Sequence, residues 1–263
     1  MTTSRDDSPR LLAPDRRQQI LELIYQQGSA YVAQLSEKFS VSGVTIRGDL
    51  DWLAAHRLVG RARGGAVALP TQALAAAFSQ RSVQNKEQKQ RIARAALELL
   101  QPDETVVLDA GSTVYELSRL VSNGAGLTVV TPALNVAAQL VGLPGIELII
   151  VGGRLDPHTL STSGATAEQA ILDIPAHRVF LGAHAVGTQG DVFDVSIEVA
   201  RLKRAMVRAA RHVILLADSS KWGSTGQARV AELSAIHTIV TDAGLPKTAR
   251  RAVQAAGANL IVA

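Results

Sequence analysis

Seven short runs of Val, Ile and Leu, separated by stretches with helical spacing, follow one another from Lys86 to the end of the chain. Most of the runs are almost continuously apolar, as a strand buried on both faces requires, and the intervening stretches can form crossover helices. The pattern predicts an α/β domain built on a sheet of mainly parallel strands. The runs are 105–108, 127–130, 146–151, 178–181, 212–217, 238–241 and 260–262.

Residues 14–70 have a different pattern, in which three short apolar stripes at helical spacing predict three helices around a small core. The first helix is expected to begin near Pro14 and to end at Gly28, and Ser42 is expected to cap the third. A basic hairpin signal with a glycine turn, residues 61–67, follows them. The stripes are Ile20 and Ile24; Val32, Leu35 and Phe39; Ile46, Leu50 and Leu53.

The chain of 263 residues is therefore divided into two domains joined by a linker, which suits its length. Residues 14–70 form the first domain and residues 86–263 the second. Residues 71–85, rich in Ala, Gln and Ser, are predicted to be the linker, with some helix.

Charge is distributed unevenly, although the net value of +4 is small. Residues 57–94 contain eight basic residues and one acid, whereas residues 95–263 contain 13 basic and 15 acidic residues. A basic front section on a near-neutral remainder is typical of a nucleic-acid-binding module. Aromatic residues make up only 3% of the chain, which disfavours single-strand binding by base stacking and favours duplex.

Other classes of protein are disfavoured by what the sequence lacks. It has no cysteine, so a disulfide framework, a thiolate metal site and a thiol nucleophile are excluded. Its six histidines show no close metal-ligand spacing, and no metal or cofactor is expected. Without a secretory signal or an apolar run of about 18 residues, a cytoplasmic protein with no membrane partner is expected.

The first domain is predicted to place the N-terminus of its third helix in the major groove of DNA. Arg47 is assigned to a base edge, because its guanidinium matches the acceptors of guanine, while Ser42 and Thr45 are expected to touch phosphate or to cap. Basic residues near the helix and in the hairpin are expected to hold the DNA backbone. The predicted DNA-binding residues are Arg17, Ser42, Thr45, Arg47, Arg61, Arg63, Gly64 and Gly65.

The stretch from Ser42 to Leu50, together with Arg63-Gly64-Gly65-Ala66, resembles the winged helix-turn-helix signature of the DeoR family of bacterial transcription regulators. The resemblance implies repression of an operon and a homodimer or homotetramer on double-stranded operator DNA. The chain departs from the family at Gly48, where relatives usually carry a second basic residue.

In the second domain, glycine turns follow several predicted strands. Asp109-Ala110-Gly111-Ser112-Thr113 follows the first strand and has the composition of a phosphate cradle, although a simple capped turn explains it equally well. Gly152-Gly153-Arg154 follows the third strand, at the end where ligands collect in open α/β sheets. Lys203 and Lys221 are the cations selected as phosphate partners.

This part of the chain is similar to the DeoR-family effector domain, which implies a Rossmann-like fold related to ribose-5-phosphate isomerase and binding of a phosphorylated sugar. The amino-sugar branch, typified by the N-acetylgalactosamine-utilisation repressor, is the most similar. Pro132 and Val199 depart from the family pattern. Some effector-binding residues are implied by this resemblance and others are expected from the sequence pattern. Together they are Asp109, Gly111, Ser112, Thr113, Asn135, Gly152, Gly153, Arg154, Glu198, Lys203 and Lys221.

Two alternatives stay open at this point. An isomerase would use Asp109 or Glu198 as its base, but each is equally explained as a hydroxyl acceptor for a bound sugar. An architectural protein would coat DNA without preference for one promoter. The attached DNA-binding module favours binding without turnover, so no catalytic residue and no enzyme activity are predicted.

Overall fold

The computed structural model describes residues 12–56, 58–69, 78, 81–123 and 126–263. The chain forms two compact units, Met1–Gln80 and Arg81–Ala263. Of the predicted linker, residues 71–77, 79 and 80 lie outside the described residues, and residues 81–85 belong to the second unit.

The described elements of the first unit include three helices and a three-stranded antiparallel sheet, as a winged helix-turn-helix requires. Pro14 lies in the first turn of the first helix, and Gly28 ends that helix at a φ of +79°. The apolar stripes meet in one core, so the expected helices are confirmed; the first strand of the sheet was not predicted. The elements are α1 (Ala13–Gln27), β1 (Ser29–Tyr31), α2 (Val32–Phe39), α3 (Gly43–Ala55), β2 (Gly60–Ala62) and β3 (Gly65–Val67).

The second unit continues the numbering with six described helices and twelve described strands. The helices are α4 (Lys86–Leu97), α5 (Ser112–Ser118), α6 (Leu134–Leu140), α7 (Ala165–Leu172), α8 (Ile197–Ala209) and α9 (Lys247–Ala255). The strands are β4 (Thr105–Leu108), β5 (Leu127–Thr131), β6 (Ile146–Ile150), β7 (Arg154–Asp156), β8 (Ser161–Ser163), β9 (Ala176–Gly182), β10 (Ala185–Val186), β11 (Asp191–Asp194), β12 (Ala210–Leu216), β13 (Ala228–Glu232), β14 (Thr238–Thr241) and β15 (Asn259–Val262).

Seven strands form a parallel sheet in the order β15-β14-β12-β9-β4-β5-β6. These strands correspond to the seven predicted runs, which confirms the Rossmann-like α/β prediction. Antiparallel pairing also joins β10, β11 and β13 in a small sheet and β7 with β8 in a hairpin, none of which was predicted.

The central strands of the large sheet are mostly apolar and buried because helices cover both of its faces, whereas the edge strands β6 and β15 are partly exposed. Along β4, Val107 faces one core with α7 and α8, while Val106 and Leu108 face the other with α4, α5 and α6. The chain runs outward from β4 in one direction and from β9 in the other, so the strand order reverses between these two neighbours. Open α/β sheets bind ligands outside the carboxyl ends of the strands at such a point.

Among the described residues, none of the helices has the length and apolar character needed to cross a bilayer.

Candidate DNA-binding helix and polar crevice

The N-terminus of α3 is built by a capping contact. The Ser42 hydroxyl accepts a hydrogen bond from the Thr45 backbone N–H at 3.2 Å and lies 2.9 Å from the Thr45 hydroxyl. Arg47 and Gly48 follow on the exposed surface of the helix. The sequence predicted this cap. Arg47 lies on the side of α3 that is exposed to solvent.

Two of the predicted arginines are engaged with carboxylates in this unit. Arg17 Nε donates to Asp49 Oδ1 at 2.8 Å, and its guanidinium lies 4.6 Å from the centre of the Trp52 ring. Arg61 pairs with Asp51 at 3.0 Å and donates to the main-chain oxygen of Gly65 at 2.9 Å. An arginine has five donors, so both residues keep N–H groups for a second partner.

The turn between β2 and β3 carries Arg63, Gly64 and Gly65. Arg63 is exposed, and Gly64 has a φ of +81°, which suits glycine. Gly65 serves packing, because a Cβ built on it would lie 2.2 Å from the main-chain oxygen of Ala30. The three strands of the wing therefore approach one another too closely for any side chain at residue 65.

A polar crevice opens at the carboxyl ends of β4 and β9, where the strand order reverses. Residues 109–113 leave β4 along one wall and residues 182–184 leave β9 along another. The hydroxyl groups of the crevice come from α5 and from the stretch that includes β8. They belong to Ser112, Thr113, Thr159, Ser161 and Thr162.

Lys203 lies at the base of this crevice and is only 3% exposed. Its ammonium group contacts Asp109 Oδ2 at 2.9 Å and Asp194 Oδ2 at 2.6 Å, and it donates to the main-chain oxygen of Gly182 at 2.7 Å. An ammonium group has three hydrogens, so these three acceptors use all of them. Lys203 therefore neutralises and positions the walls of the crevice in this structure.

The pKa values of the cluster follow from burial and from this pairing. Burial raises the pKa of Asp109, although Lys203 and the Gly182 N–H oppose the shift. For Asp194, burial acts in the same upward direction, but the ammonium of Lys203 outweighs it and leaves the pKa lowered. Burial alone would lower the pKa of Lys203, and the two carboxylates reverse that shift and raise it.

Further basic groups line the crevice nearer its mouth. Lys221 is half-buried in a 3₁₀ turn, Ser219–Lys221, that follows β12, and Arg81, the first residue of the second unit, lines the same crevice. The pKa of His184 is lowered by burial and by nearby cations, against the opposing charge of Asp194. With Lys203 included, three permanent cations face two carboxylates, so the crevice carries one excess positive charge.

The structure brings together about half of the predicted effector residues. Asp109, Gly111, Ser112, Thr113, Lys203 and Lys221 all line the crevice. The remaining predicted residues do not line it: Asn135, Gly152, Gly153, Arg154 and Glu198.

Those remaining residues have other surroundings. Gly152 and Gly153 lie in the turn between β6 and β7 and are exposed, as are Arg154 at the start of β7 and Glu198 at the start of α8. Asn135 lies on α6, and within the described residues both polar atoms of its side-chain amide are buried without a hydrogen-bond partner.

The structure also shows the surroundings of Pro132 and Val199, the two departures from the family pattern in the second domain. The carbonyl of Pro132 accepts the Thr162 N–H at 2.9 Å, which holds β8 beside the end of β5. Val199 is buried and lines the crevice.

Arg81, His184 and Asp194 are the charged or titratable crevice residues that sequence reasoning missed. Arg81 fell within the predicted linker, and Asp194 ends a strand of the unpredicted small sheet. A lone basic residue in an Ala- and Gln-rich stretch gives no local sign of its contacts. Among the described residues, no group of three or more His, Asp or Glu side chains could hold a metal ion.

A helix-turn-helix unit on the same chain as a Rossmann-like unit with a polar crevice defines a two-domain transcription regulator. Residues 16–72 match the DeoR-like helix-turn-helix domain, and residues 84–243 match the DeoR C terminal sensor domain. The chain belongs to the DeoR family of transcriptional regulators, as its motifs predicted.

Named relatives cover nearly the whole chain. A protein of Escherichia coli O157:H7 described as an aga operon transcriptional repressor is 34% identical over 94% of this chain and 93% of its own. The glycerol-3-phosphate regulon repressor of Escherichia coli K12 is 34% identical over 88% and 91% of the two chains. The L-fucose operon activator of Haemophilus influenzae is 32% identical over 88% and 92%.

Among solved structures, ribose 5-phosphate isomerase A from Methanocaldococcus jannaschii is similar to 52% of this chain and 55% of its own, with 15% identity and a TM-score of 0.38. The relatives named above are transcriptional regulators, and this chain is one too and not an isomerase. The aga operon repressor among them is consistent with the predicted amino-sugar branch.

Proposed function

We propose that the protein is a repressor of a carbohydrate-utilisation operon, binding duplex operator DNA through the winged helix and controlled by a phosphorylated sugar in the crevice. The observation that carries the proposal is the crevice itself, which combines an excess positive charge with a hydroxyl-rich wall at the strand-order reversal. A phosphate requires the cation and sugar hydroxyls require polar partners.

The contacts of Lys203 support a phosphate position near the mouth of the crevice. Since the three N–H groups of Lys203 are directed at protein acceptors, they are not available to a ligand. Lys221 provides a cation nearer the solvent, on the same crevice as Ser112 and Thr113. We place the phosphate between Lys221 and Ser112 and the sugar hydroxyls toward Asp109. Asn135, residues 152–154 and Glu198 stay predicted effector residues that the crevice does not include.

The names of the relatives support the carbohydrate class, and two of the three describe repressors. One relative is a repressor of the aga operon and another of a glycerol-3-phosphate regulon, whereas a third is an activator of an L-fucose operon. We propose repression for this chain, relieved by the ligand, and an amino-sugar phosphate as the preferred class.

On the DNA side, the exposed position of Arg47 on α3 supports its assignment to a base edge. We propose that Ser42 and Thr45 approach phosphate at the capped end of α3, and that Arg63 and the Gly64-Gly65 turn enter the flanking groove. Arg17 and Arg61 would contact the DNA backbone with their remaining N–H groups. A homodimer or homotetramer would read paired half-sites.

The effector proposal is tested by thermal unfolding with glucose 6-phosphate, glucosamine 6-phosphate and ribose 5-phosphate, because a ligand of the native state raises the melting temperature. We expect at least one sugar phosphate to stabilise the protein and to release operator DNA. Lys221→Ala should weaken that ligand about tenfold or more, since it removes a charge-assisted hydrogen bond. Lys247→Ala, at the exposed start of α9, is the matched control and should bind normally. If none of the three sugar phosphates raises the melting temperature, the proposal is contradicted.

The DNA proposal is tested by selecting duplexes from a random library and measuring their affinity at several salt concentrations. Arg47→Ala should lose preference for the selected sequence, whereas Arg63→Ala should weaken all duplexes and reduce the salt slope by about one unit. Equal binding of selected and random duplexes by the unmodified protein would favour an architectural role instead.

A further inference from the structure

The second unit begins with a short stretch, Arg81–Asn85, which we call the connecting segment, and its first side chain lies on the wall of the crevice. The Arg81 guanidinium donates to the main-chain oxygen of His158 at 2.7 Å. Burial lowers the pKa of Arg81, and the charges of Asp194 and Asp156 oppose that shift. A partly desolvated cation is thus held in place where a ligand would enter.

A buried lysine holds the backbone of the same segment. Lys89 on α4 is 2% exposed, and its ammonium donates to the main-chain oxygens of Arg81 and of Gln84, the latter at 2.5 Å. The pKa of Lys89 is lowered to about 8, chiefly by burial. Two carbonyl groups of the connecting segment are therefore fixed to the helix that follows it.

The other end of the segment is bonded to the turn that carries Lys221. The Asn85 amide donates to Asp218 Oδ1 at 3.1 Å and to the Ser220 hydroxyl at 3.0 Å. Asp218 in turn accepts the Ser220 N–H at 3.1 Å, so the turn is tied to Asn85 as a unit. The connecting segment therefore carries one cation of the crevice mouth, Arg81, and is hydrogen-bonded to the turn that carries the other, Lys221.

We infer that Arg81 contacts the anionic group of the effector and that the connecting segment transmits occupancy of the crevice to the DNA-binding unit. The inference rests on the proposed function, because it requires an anionic ligand in the crevice. The segment follows Gln80, the last residue of the first unit, without any intervening residue. An anion bound by Arg81 and Lys221 acts on a side chain of the segment and on the turn to which Asn85 is hydrogen-bonded, so it favours one arrangement of that segment over others.

The contact is tested with Arg81→Gln and with Arg91→Gln, a matched change on the exposed surface of α4. The probes are inorganic phosphate and whichever of the three sugar phosphates binds the unmodified protein. Calorimetric titration of Arg81→Gln should show affinity for the sugar phosphate reduced about tenfold or more. Arg91→Gln should bind both probes as the unmodified protein does.

The coupling is tested with Asn85→Gly, because Asn85 has a φ of +52° that glycine adopts without strain. The measured quantity is the ratio of operator affinities without and with the sugar phosphate, which is typically about 5- to 150-fold in coupled systems. Asn85→Gly should reduce this ratio to about two or less when both affinities are measured at a sugar phosphate concentration that saturates the variant.

The possible outcomes distinguish the proposed function from the Arg81 contact, and that contact from the coupling role of the connecting segment. If the unmodified protein binds no sugar phosphate, the proposed function and this inference both fail. If it binds and responds, but Arg81→Gln matches Arg91→Gln, the contact is overturned. A normal ratio in Asn85→Gly, with weakened binding in Arg81→Gln, keeps the contact and overturns the coupling role.

Discussion

Two carboxylates on α3 carry the same charge in very different surroundings. Asp49 is 2% exposed and accepts from Arg16 Nε at 2.6 Å as well as from Arg17. The Asp51 side chain is 66% exposed and pairs with Arg61. Loss of one partner from a buried ion pair leaves an uncompensated charge, whereas loss from an exposed pair leaves groups that water solvates.

We therefore expect Asp49→Ala to lower the free energy of unfolding of the first unit by about 3 kcal/mol. Asp51→Ala, two residues away on the same helix, should lower it by less than about 1 kcal/mol. Urea unfolding followed by circular dichroism measures both values. Similar effects of the two substitutions would show that Asp49 is solvated in solution.

The buried cluster around Lys203 gives a second prediction at this scale. Lys203→Met leaves Asp109 and Asp194 buried without their cation, which should cost about 3–5 kcal/mol of stability at pH 7.5. At pH 5 the loss should be smaller, because carboxylates without their cation take up protons more readily. Lys247→Met should change stability by less than about 0.5 kcal/mol. A loss that does not depend on pH would contradict this account.

At the scale of elements, adding a side chain at two glycines of the first unit is expected to have opposite effects on stability. Gly48 lies inside α3, and a Cβ built there meets no atom within 4 Å. Gly65 lies in β3 against the backbone of β1. A helix gains from replacing glycine, whereas the wing has no space for a side chain at residue 65.

Gly48→Ala should consequently stabilise the first unit by about 1 kcal/mol, because alanine loses less backbone entropy in a helix. Gly65→Ala should destabilise it by about 1–3 kcal/mol, because β1 and β3 must separate. Thermal unfolding of the two variants compares the signs directly. The same sign for both would refute the assignment of Gly65 to packing.

The elements that could be predicted from sequence are those whose pattern is local. The seven strands of the large sheet each contain a short apolar run, because most of them are covered on both faces, and the Ser42 cap follows from a serine before an apolar stripe. Strand β8, Ser161–Ser163, is buried yet consists only of hydroxyl residues, so periodicity does not indicate it. The crevice residues Arg81 and Asp194 are brought to Lys203 and Lys221 by long-range packing, which spacing along the chain does not encode.

At the scale of the whole molecule, the sheet has chemically different edges. The carboxyl edge holds the cationic crevice, whereas His212 lies near the start of β12, at the amino edge. The His212 and His237 rings are 4.8 Å apart, and His212 Nε2 lies 2.9 Å from the Thr238 hydroxyl. Burial, with the charges of His237 and Arg178, lowers the pKa of His212, although Glu104 opposes this.

A lowered pKa means that the unfolded chain binds the proton of His212 more readily than the folded chain does. Its stabilising contribution is therefore complete above the ordinary value of 6.5 and is lost as the pH falls below it. Urea unfolding at pH 8 and pH 5.5 should show a smaller acid-induced loss for His212→Gln than for the unmodified protein. Titration of His212 by NMR at or above 6.5 in the folded protein would contradict the prediction.

The three contacts of Lys203 also bear on how a cell could use the protein. Enolisation of an aldose phosphate needs a carboxylate that is available to accept a carbon-bound proton. Here Asp109 and Asp194 both direct oxygen atoms at the same ammonium group. Under the proposed function, a sugar phosphate held in this crevice would leave chemically unchanged, and the protein would measure its pool without consuming it.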